Sequence, residues 1–472
     1  MANKLNSFRR AGAAAAIALF AASAVAQAAE VNWKEQQPEI LRHYRDLVQI
    51  DTRSGNETKA VDYLKRIFES DGIPVQVFAL QPARANLVAR IKGNGRKKPL
   101  LLLAHTDVVG VQPDKWPVPP FGAILKDGYV WGRGTADDKD KLTANLMIML
   151  LVKRLGLHLD RDLIFLAESG EEADPDGVGM KFMVEQHFPE IEAEFALTEG
   201  GSTLLENGRV TAVNIATTEK VPRRIRLVAT GTSGHGSVPR LDNPLIHLSQ
   251  AVAKLTSWET PMSLNDTTRS YFHQMATISP AARALQYRGL FNPATTKAAQ
   301  RYLAEHEPQR YSMLRTSIVP TQLKAGVGQN VIPSEAEAVF DVRVVPDENV
   351  PKLFSEMARL IGDPAVKVVP IPNPRSVAPP SRTDTDMYAA LEQVAHRMYP
   401  GAAVIPMMLT GATDMSYLRP KGVQSYGIGP ATTELDEINF GAHSDVERLP
   451  EQSLYEFVEF TWNATVEASA AK

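Results

Sequence analysis

The sequence contains no cysteine, and this absence limits the chemistry that is open to the chain. Disulfide bonds and a lipid anchor on cysteine are excluded, and any bound metal must be held by histidine and carboxylate side chains rather than by thiolates. The 472 residues exceed what one hydrophobic core usually supports. We therefore expect a globular protein of two domains.

The chain also has little net charge and, beyond its N-terminus, no long apolar run. Its formal charge is -3 at pH 7, so we expect no nucleic-acid partner. The apolar segment 146–152 is short and lies between Asn145 and Lys153, which is far from the length needed to span a bilayer. We therefore expect no stable membrane insertion of the mature protein.

Residues 1–26 have the pattern of a cleaved export signal. Lys4, Arg9 and Arg10 precede an apolar, alanine-rich stretch, and an Ala-x-Ala pattern follows it directly. A membrane anchor is the alternative, but the short stretch and the adjacent cleavage pattern favour a signal peptide. Its removal takes away three basic and no acidic residues, which moves the formal charge from -3 to -6. The mature protein is predicted to be periplasmic or secreted.

Residues 100–139 begin with a candidate half of a metal site. The apolar run 100–104 is too short and too uniform for an amphipathic helix, so it predicts a strand buried on both faces. His105 then lies at the carboxyl end of the strand, where open α/β sheets place their ligand sites. Asp107 shares a face with His105 and could hold the imidazole in one tautomer. A lone His-x-Asp would favour a simple turn, so the other acidic residues decide the interpretation.

Carboxylates follow two further predicted strands and begin one predicted helix. The strands cover 163–167 and 195–197, and the helix starts after the acidic pair at 137–138. One acidic loop after a strand is routine, but several strand ends carrying histidine or carboxylate indicate a site. The side chains concerned are Asp137, Asp138, Glu171, Glu172 and Glu199, with His443 much later in the chain.

The order and the residue sequences of these motifs resemble those of the di-zinc aminoacylase and carboxypeptidase family. That family includes succinyl-diaminopimelate desuccinylase, the carnosine dipeptidases and glutamate carboxypeptidase, and the resemblance covers nearly all of the chain after the signal. It implies an α/β fold with a zinc-peptidase-like mixed sheet flanked by helices. It also implies an inserted smaller α+β domain that acts as a lid and through which the protein forms a homodimer.

The resemblance also assigns the metal ligands and the base. Two divalent ions, most suitably zinc, would share one bridging aspartate. The implied ligands are His105, Asp137 and Glu199 for one ion, and Asp137, Glu172 and His443 for the other. Asp107 would orient His105, and Glu171 would be the general base. The role of Glu171 has independent logic, because a base must reach the attacking water without being consumed as a ligand.

A change of pattern marks the inserted domain. Around Pro222 the sequence changes to alternating apolar and polar residues, and a second alternating run at 335–344 ends at Pro346. The predicted boundaries are 1–26 for the signal, 30–221 and 347–472 for the two parts of the catalytic domain, and 222–346 for the insertion.

The insertion carries three of the four substrate contacts that the resemblance implies. They are His235, Asn330 and Arg343, and the fourth is Gly411 in the catalytic domain. The resemblance implies a catalytic role for His235, because its family counterpart reaches across the dimer to the active site of the partner chain. His235 alone would more often be a surface histidine, but glycines on both sides allow a close backbone approach. Arg343 could pair with Asp341, and its guanidinium also suits a substrate carboxylate.

Two functions are therefore open. The first is an exported metallohydrolase that cleaves an amide bond beside a carboxylate-bearing residue, as a carboxypeptidase, dipeptidase or N-acyl-amino-acid hydrolase. The second is a non-catalytic, zinc-stabilised binding or assembly protein on the same scaffold. A structural metal site has no use for an adjacent glutamate that binds no metal, so Glu171 favours the enzyme.

Overall fold

The computed structural model describes residues 31–172, 176–373 and 375–471, so the predicted signal segment lies outside the described residues. The helices are α1 (Trp33–Gln49), α2 (Thr58–Ser70), α3 (Lys139–Arg154), α4 (Met180–Gln186), α5 (Phe188–Ile191), α6 (Pro244–Thr256), α7 (Asp266–Ile278), α8 (Ala281–Gly289), α9 (Thr296–His306), α10 (Pro308–Ser312), α11 (Val350–Ile361), α12 (Asp386–Met398), α13 (Met415–Leu418), α14 (Glu434–Phe440) and α15 (Glu451–Ser469). Short 3₁₀ helices cover Pro113–Lys115 and Arg419–Lys421.

The strands are β1 (Val75–Gln81), β2 (Arg84–Ile91), β3 (Leu100–His105), β4 (Ile124–Lys126), β5 (Tyr129–Trp131), β6 (Leu163–Glu168), β7 (Phe195–Thr198), β8 (Ser202–Glu206), β9 (Arg209–Glu219), β10 (Val221–Pro222), β11 (Ile225–Thr230), β12 (Gly234–His235), β13 (Ser317–Ala325), β14 (Val331–Ile332), β15 (Glu335–Val344), β16 (Val366–Pro370), β17 (Ala403–Leu409), β18 (Gln424–Gly427), β19 (Ala431–Thr432) and β20 (Arg448–Pro450). They form a large mixed sheet, a smaller antiparallel sheet and two short sheets.

The large sheet has ten strands in the described part of the chain. Its order is β1-β2-β6-β3-β7-β18-β9-β8-β19, and β17 adds to β9. The strands β6, β3, β7 and β18 run parallel, whereas β2 joins β6 in the antiparallel sense. The predicted mixed α/β sheet is therefore confirmed.

Helices cover both faces of the large sheet, which explains the uniform apolar composition of its central strands. All six residues of β3 and all six of β6 are buried. One core joins the sheet to α1, α2, α3, α12 and α15, and a second joins the opposite face to α4. Burial on both faces removes the alternation that a half-exposed strand would show.

The helix α3 is buried from residue 139 to residue 152. Its first turn includes two lysines whose ammonium groups have lost most of their contact with water. Lys139 Nζ donates to the carbonyl of Ile50 at 2.7 Å, and Lys141 Nζ donates to that of Ile428 at 3.0 Å. These contacts hold the N-terminus of α3, which directly follows Asp137 and Asp138, against the body of the protein.

The smaller sheet pairs β15 with β13 on one edge and with β10 and β11 on the other, and β16 pairs with β11. In β15 the residues alternate between buried and more exposed, as the sequence pattern predicts. The helices α6 and α11 complete its core. This sheet includes β16, so it takes in residues on both sides of the predicted boundary at position 346.

Helices α7 to α10 belong to the inserted segment but pack on the large sheet. Their core includes Phe272, Tyr287 and Leu303, and it contacts Ile405 and Met408 of β17. The small sheet has a separate core. The predicted insertion therefore supplies a helical layer to the large sheet as well as a separate sheet.

No helix in the described ranges is long and apolar enough to cross a membrane.

Candidate metal centre

Three parallel strand ends bring together the acidic loops that surround the site. In the sheet β3 lies between β6 and β7, and all three strands run in the same direction. Their carboxyl ends therefore lie at one edge. His105 ends β3, the loop from Ser169 to Glu172 follows β6, and Glu199 directly follows β7.

Asp137 lies at the centre of a cluster of carboxylates and imidazoles. Its Oδ1 is 3.0 Å from His105 Nε2, and its Oδ2 is 3.1 Å from His443 Nε2. His443 Nε2 is also 2.8 Å from Glu172 Oε1. The potential ligand atoms form two groups, each with all atoms within 4.8 Å of one another: His105, Asp137 and Glu199 in one, and Asp137, Glu172 and His443 in the other.

The crowding of acidic groups changes the pKa values of the cluster. Burial disfavours the charged imidazole of His105, but the Asp107 and Asp137 carboxylates raise its pKa well above the ordinary value. Hydrogen bonds that the His443 imidazole donates to the Asp137 and Glu172 carboxylates raise its pKa to about 10. Burial likewise raises the pKa of Glu199 well above its usual range. The site therefore needs compensating positive charge.

The donor set fits two divalent cations. Carboxylate oxygens and imidazole nitrogens are ligands that zinc accepts, and each of the two groups offers three protein donors. Asp137 belongs to both groups with a different oxygen directed at each histidine, as a bridging carboxylate would require. These two groups have the same members as the predicted ligand sets.

Asp107 orients both a histidine and a loop. The Nδ1 atom of His105 lies 3.0 Å from the carbonyl oxygen of Asp107 and 3.5 Å from its carboxylate. Donation from Nδ1 to that carbonyl leaves Nε2 available for a metal. The Asp107 carboxylate also accepts hydrogen bonds from the backbone N–H groups of Gly170, Glu171 and Glu172, at 2.9 to 3.1 Å. It therefore fixes the loop that carries the predicted base and one predicted ligand.

A buried ion pair joins the segment before Asp137 to the segment after His443. Arg133 Nη1 donates to Glu447 Oε2 at 2.5 Å, and the other oxygen of Glu447 accepts the N–H group of Ala136 at 2.8 Å. Arg133 Nη2 also reaches the carbonyl of His443 at 3.4 Å. Neither residue of this pair can be recognised from the sequence, because a separation of 314 positions leaves no local pattern.

Glu171 lies beside the cluster but outside both ligand groups. Burial raises its pKa to about 8, although the Arg375 guanidinium acts in the opposite direction. Arg375 Nη2 donates to Glu171 Oε1 at 2.7 Å. Sequence reasoning missed Arg375, which follows an Asn-Pro dipeptide in a connecting segment and matches no motif.

Comparison with known proteins identifies the family. A model described as Peptidase family M20/M25/M40 matches residues 101–465, which is more than half of the chain. The chain belongs to this family. Among curated relatives, "Probable carboxypeptidase S-like 2" from Dictyostelium discoideum is 29% identical over 393 residues, covering 81% of this chain and 74% of the relative. The human "N-fatty-acyl-amino acid synthase/hydrolase PM20D1" is 29% identical over 336 residues, covering 68% and 64%.

Solved structures of M20 proteins share the fold. The metallo-carboxypeptidase Sso-CP2 from Sulfolobus solfataricus aligns with a TM-score of 0.66 at 18% identity, covering 91% of this chain and 99% of that protein. The YXEP protein from Bacillus subtilis, described as a dinuclear metal binding peptidase, aligns with a TM-score of 0.60 at 16% identity, covering 92% and 98%. The predicted family and the predicted fold class are therefore confirmed, and the M20 chain is a metallopeptidase or amidohydrolase by family.

The predicted substrate contacts lie in three places. His235 and Asn330 are neighbours, because the N–H group of Gly236 donates to the carbonyl of Asn330 at 2.7 Å where β12 pairs with β14. His235 is exposed and shares a hydrogen bond with Ser237 at 2.7 Å. Within the described part of this M20 chain, its side chain forms hydrogen bonds with Ser237 and none with the predicted metal ligands, so its predicted role stays a prediction.

Arg343 and Gly411 lie on separate elements. Arg343 is on β15, and its Nε donates to Asp341 at 2.9 Å. Gly411 follows β17, in a loop that approaches the metal cluster: a Cβ atom on Gly200 would lie 3.4 Å from the Thr413 side chain. Gly200 directly follows Glu199, so this loop lies beside a predicted ligand. The substrate roles of both residues stay predictions.

Proposed function

We propose that this M20 chain is an exported metallohydrolase that cleaves an amide or peptide bond next to a carboxylate-bearing residue. The observation that carries the proposal is the position of Glu171. It is a largely buried carboxylate beside two three-donor groups and belongs to neither group. A purely structural metal site would require the donors but no such neighbour.

The proposed reaction is hydrolysis with Glu171 as general base. Two divalent ions would supply positive charge that polarises a carbonyl group and lowers the pKa of the attacking water. The residues that would hold them are His105, Asp137, Glu172, Glu199 and His443. Glu171 accepts a proton from the attacking water while the water oxygen bonds to the carbonyl carbon. The C–N bond then breaks, and the departing amine receives the proton from Glu171.

The insertion supplies groups suited to a substrate carboxylate. Arg343 offers a guanidinium that can bind a carboxylate through two parallel hydrogen bonds. Its present partner, Asp341, is two residues away on the same strand, so a substrate could compete for it. The names of the relatives include a carboxypeptidase and an N-fatty-acyl-amino acid hydrolase, which agrees with a substrate that ends in a carboxylate.

We further propose that the protein is a homodimer and that it acts outside the cytoplasm. The strand β13 lies at the edge of the smaller sheet and exposes Val319 and Leu323, at 52% and 69% of their surface. An exposed apolar edge strand is a site where a second sheet can pair. The N-terminal signal pattern supports export.

A substrate panel tests the function. The purified protein would be incubated with dipeptides, longer peptides and N-acyl amino acids, and products would be identified by mass spectrometry. We expect free amino acids to be released, the activity to disappear after dialysis against a chelator, and zinc to restore it. Loss of folding on chelation with no hydrolysis before it would instead support the zinc-stabilised binding protein.

A further inference from the structure

Arg375 forms a largely buried ion pair with the proposed general base. Its Nη2 atom donates to Glu171 Oε1 at 2.7 Å and reaches the Glu171 carbonyl at 3.3 Å. The side chains of the two residues are 18% and 11% exposed. Because water can replace little of this contact, the pair constrains the direction of the Glu171 carboxylate.

A second carboxylate lies within ion-pair distance of the same guanidinium. Asp414 Oδ1 lies 3.6 Å from Arg375 Nη2, and the guanidinium lies 6.0 Å from the centre of the Tyr417 ring. Asp414 follows β17, whereas Glu171 follows β6. Arg375 therefore joins two loops that approach the metal cluster from different strands.

The backbone around Arg375 is tied to both sheets. This residue lies in the connection from β16 of the smaller sheet to α12 of the body. On one side, the N–H group of Ile371 donates to the carbonyl of Arg224 at 2.9 Å. On the other, the N–H group of Ser381 donates to the carbonyl of Thr217 in β9 at 2.8 Å. Arg375 therefore reaches Glu171 from a segment that is held at both ends.

We propose that Arg375 is a positioning residue that holds the Glu171 carboxylate in the orientation needed to take a proton from water. The inference rests on the proposed function. With Oε1 bound to the guanidinium, Oε2 is the oxygen that stays available to the water. A receptor for the substrate carboxylate is the alternative role, but Arg375 already faces two acidic side chains, Glu171 and Asp414.

The test compares Arg375→Ala and Arg375→Lys with a matched control. Arg382→Ala serves as the control because Arg382 lies in the same connection and pairs with the exposed Asp384 at 2.8 Å. We expect Arg375→Ala to lower kcat by at least about tenfold, since general-base catalysis typically contributes about 10² to 10⁴. KM and metal content should stay near the parent values, whereas the unfolding temperature of Arg375→Ala should fall, because two largely buried carboxylates lose their guanidinium partner. Arg375→Lys should keep more activity than Arg375→Ala, and Arg382→Ala should behave as the parent.

Two further measurements separate positioning from a general structural role. Added guanidinium ion, well below denaturing concentration, should partly restore kcat in Arg375→Ala but not in Glu171→Gln. The double variant Glu171→Gln, Arg375→Ala should turn over no more slowly than Glu171→Gln alone, because Arg375 acts through Glu171.

Several results would overturn the inference. A rise in KM with unchanged kcat would make Arg375 a substrate contact, and loss of metal or of folding in both Arg375 variants would make it structural. Multiplicative losses in the double variant would mean that the two residues act independently. A parent protein that hydrolyses nothing in the panel would overturn the proposed function and this inference together. An active parent with an Arg375→Ala variant of equal kcat would overturn this inference alone.

Discussion

Glu171 and Glu172 are adjacent in one loop but have different surroundings, which explains how one could act as a base while the other binds metal. Glu172 lies 2.8 Å from His443 Nε2, within one of the two donor groups, whereas Glu171 faces Arg375. Asp107 fixes the backbone N–H groups of both residues. Because the Asp107 carboxylate fixes the backbone of this loop, the carboxylates of Glu171 and Glu172 can be directed to different partners although the residues are adjacent.

The first prediction concerns Glu171→Gln. The amide keeps the shape of the side chain but cannot accept a proton at neutral pH, so we expect turnover to fall by about 10² or more. Metal content, measured by atomic spectroscopy, should stay at the parent level because Glu171 lies outside both donor groups. A variant that binds metal normally and hydrolyses near the parent rate would disprove the assignment of the base.

The second prediction concerns Arg343→Ala. Substrates with a free terminal carboxylate should lose far more kcat/KM than their amidated counterparts, because a paired guanidinium contact is difficult for water to replace. The comparison uses each substrate in both forms with parent and variant. Equal losses for the two forms would leave Arg343 with its contact to Asp341 as its main role.

The third prediction concerns Lys220, which links β9 to β10. Burial lowers its pKa to about 7, and its Nζ donates to Ser312 and Ser317 at 3.0 and 3.1 Å. A lowered pKa means that the unfolded chain binds more protons between pH 7 and the ordinary value of 10.5. Burial of the charged Lys220 ammonium group therefore lowers the free energy of unfolding by its full amount below pH 7, and by less as the pH rises.

Denaturant unfolding of Lys220→Met checks this sign. The free energy of unfolding of the variant minus that of the parent should decrease as the pH increases from 7 to 10. Lys367→Met, at an exposed position of β16, is the control and should show no such trend. A difference that is constant with pH would contradict the prediction.

At the scale of the elements, strands and their ends could be predicted, but contacts between distant segments could not. Uniformly apolar runs identified β3 and β6, because both are buried on both faces, and alternation identified β15. The parallel order of β6, β3 and β7 then brings the acidic loops together, as the motif order implied.

The contacts that were missed have no local pattern. Amphipathic helices show which face is buried but not against which sheet, so nothing indicated that α7 packs on β17 rather than on the smaller sheet. Arg375 pairs with Glu171 across 204 positions, and Arg133 pairs with Glu447 across 314. Such pairs depend on the path of the chain between elements.

The fourth prediction concerns β3 itself. Leu102 is fully buried and pairs with Phe165 of β6 and Leu197 of β7, so Leu102→Ala should lower the free energy of unfolding by about 2 to 5 kcal/mol. Leu285→Ala is the control, because Leu285 is 66% exposed on α8 and its truncation should change stability by about 0.5 kcal/mol or less. Urea unfolding of both variants gives the comparison, and similar values for the two would contradict the role of β3 as a core strand.

At the scale of the whole molecule, the exposed position of His235 is compatible with its predicted role at the metal centre of a partner chain. His235 lies on the small β12–β14 ribbon and hydrogen-bonds to its own neighbour Ser237. The edge strand β13 of the same inserted segment offers a surface for a second copy. Dimerisation through this segment would allow His235 of one chain to serve the metal centre of the other.

The fifth prediction follows from this arrangement. If His235 donates a hydrogen bond to the developing oxyanion, as the family resemblance implies, it should affect the transition state more than substrate binding, and His235→Ala should lower turnover by about 10² to 10³. Glu171→Ala should also be nearly inactive alone. In a mixed dimer, however, an intact Glu171 on one chain can meet an intact His235 from the other.

Mixing the two variants therefore gives a quantitative test. With random exchange about half of the dimers are mixed, and one of the two sites in each is complete, so roughly a quarter of the parent activity should return. Subunit exchange would be measured separately with differently tagged chains. The matched control mixes His235→Ala with the double variant His235→Ala, Glu171→Ala, which leaves no complete site and should recover nothing. Absence of recovery in the first mixture despite demonstrated exchange would mean that His235 serves its own chain or has no catalytic role.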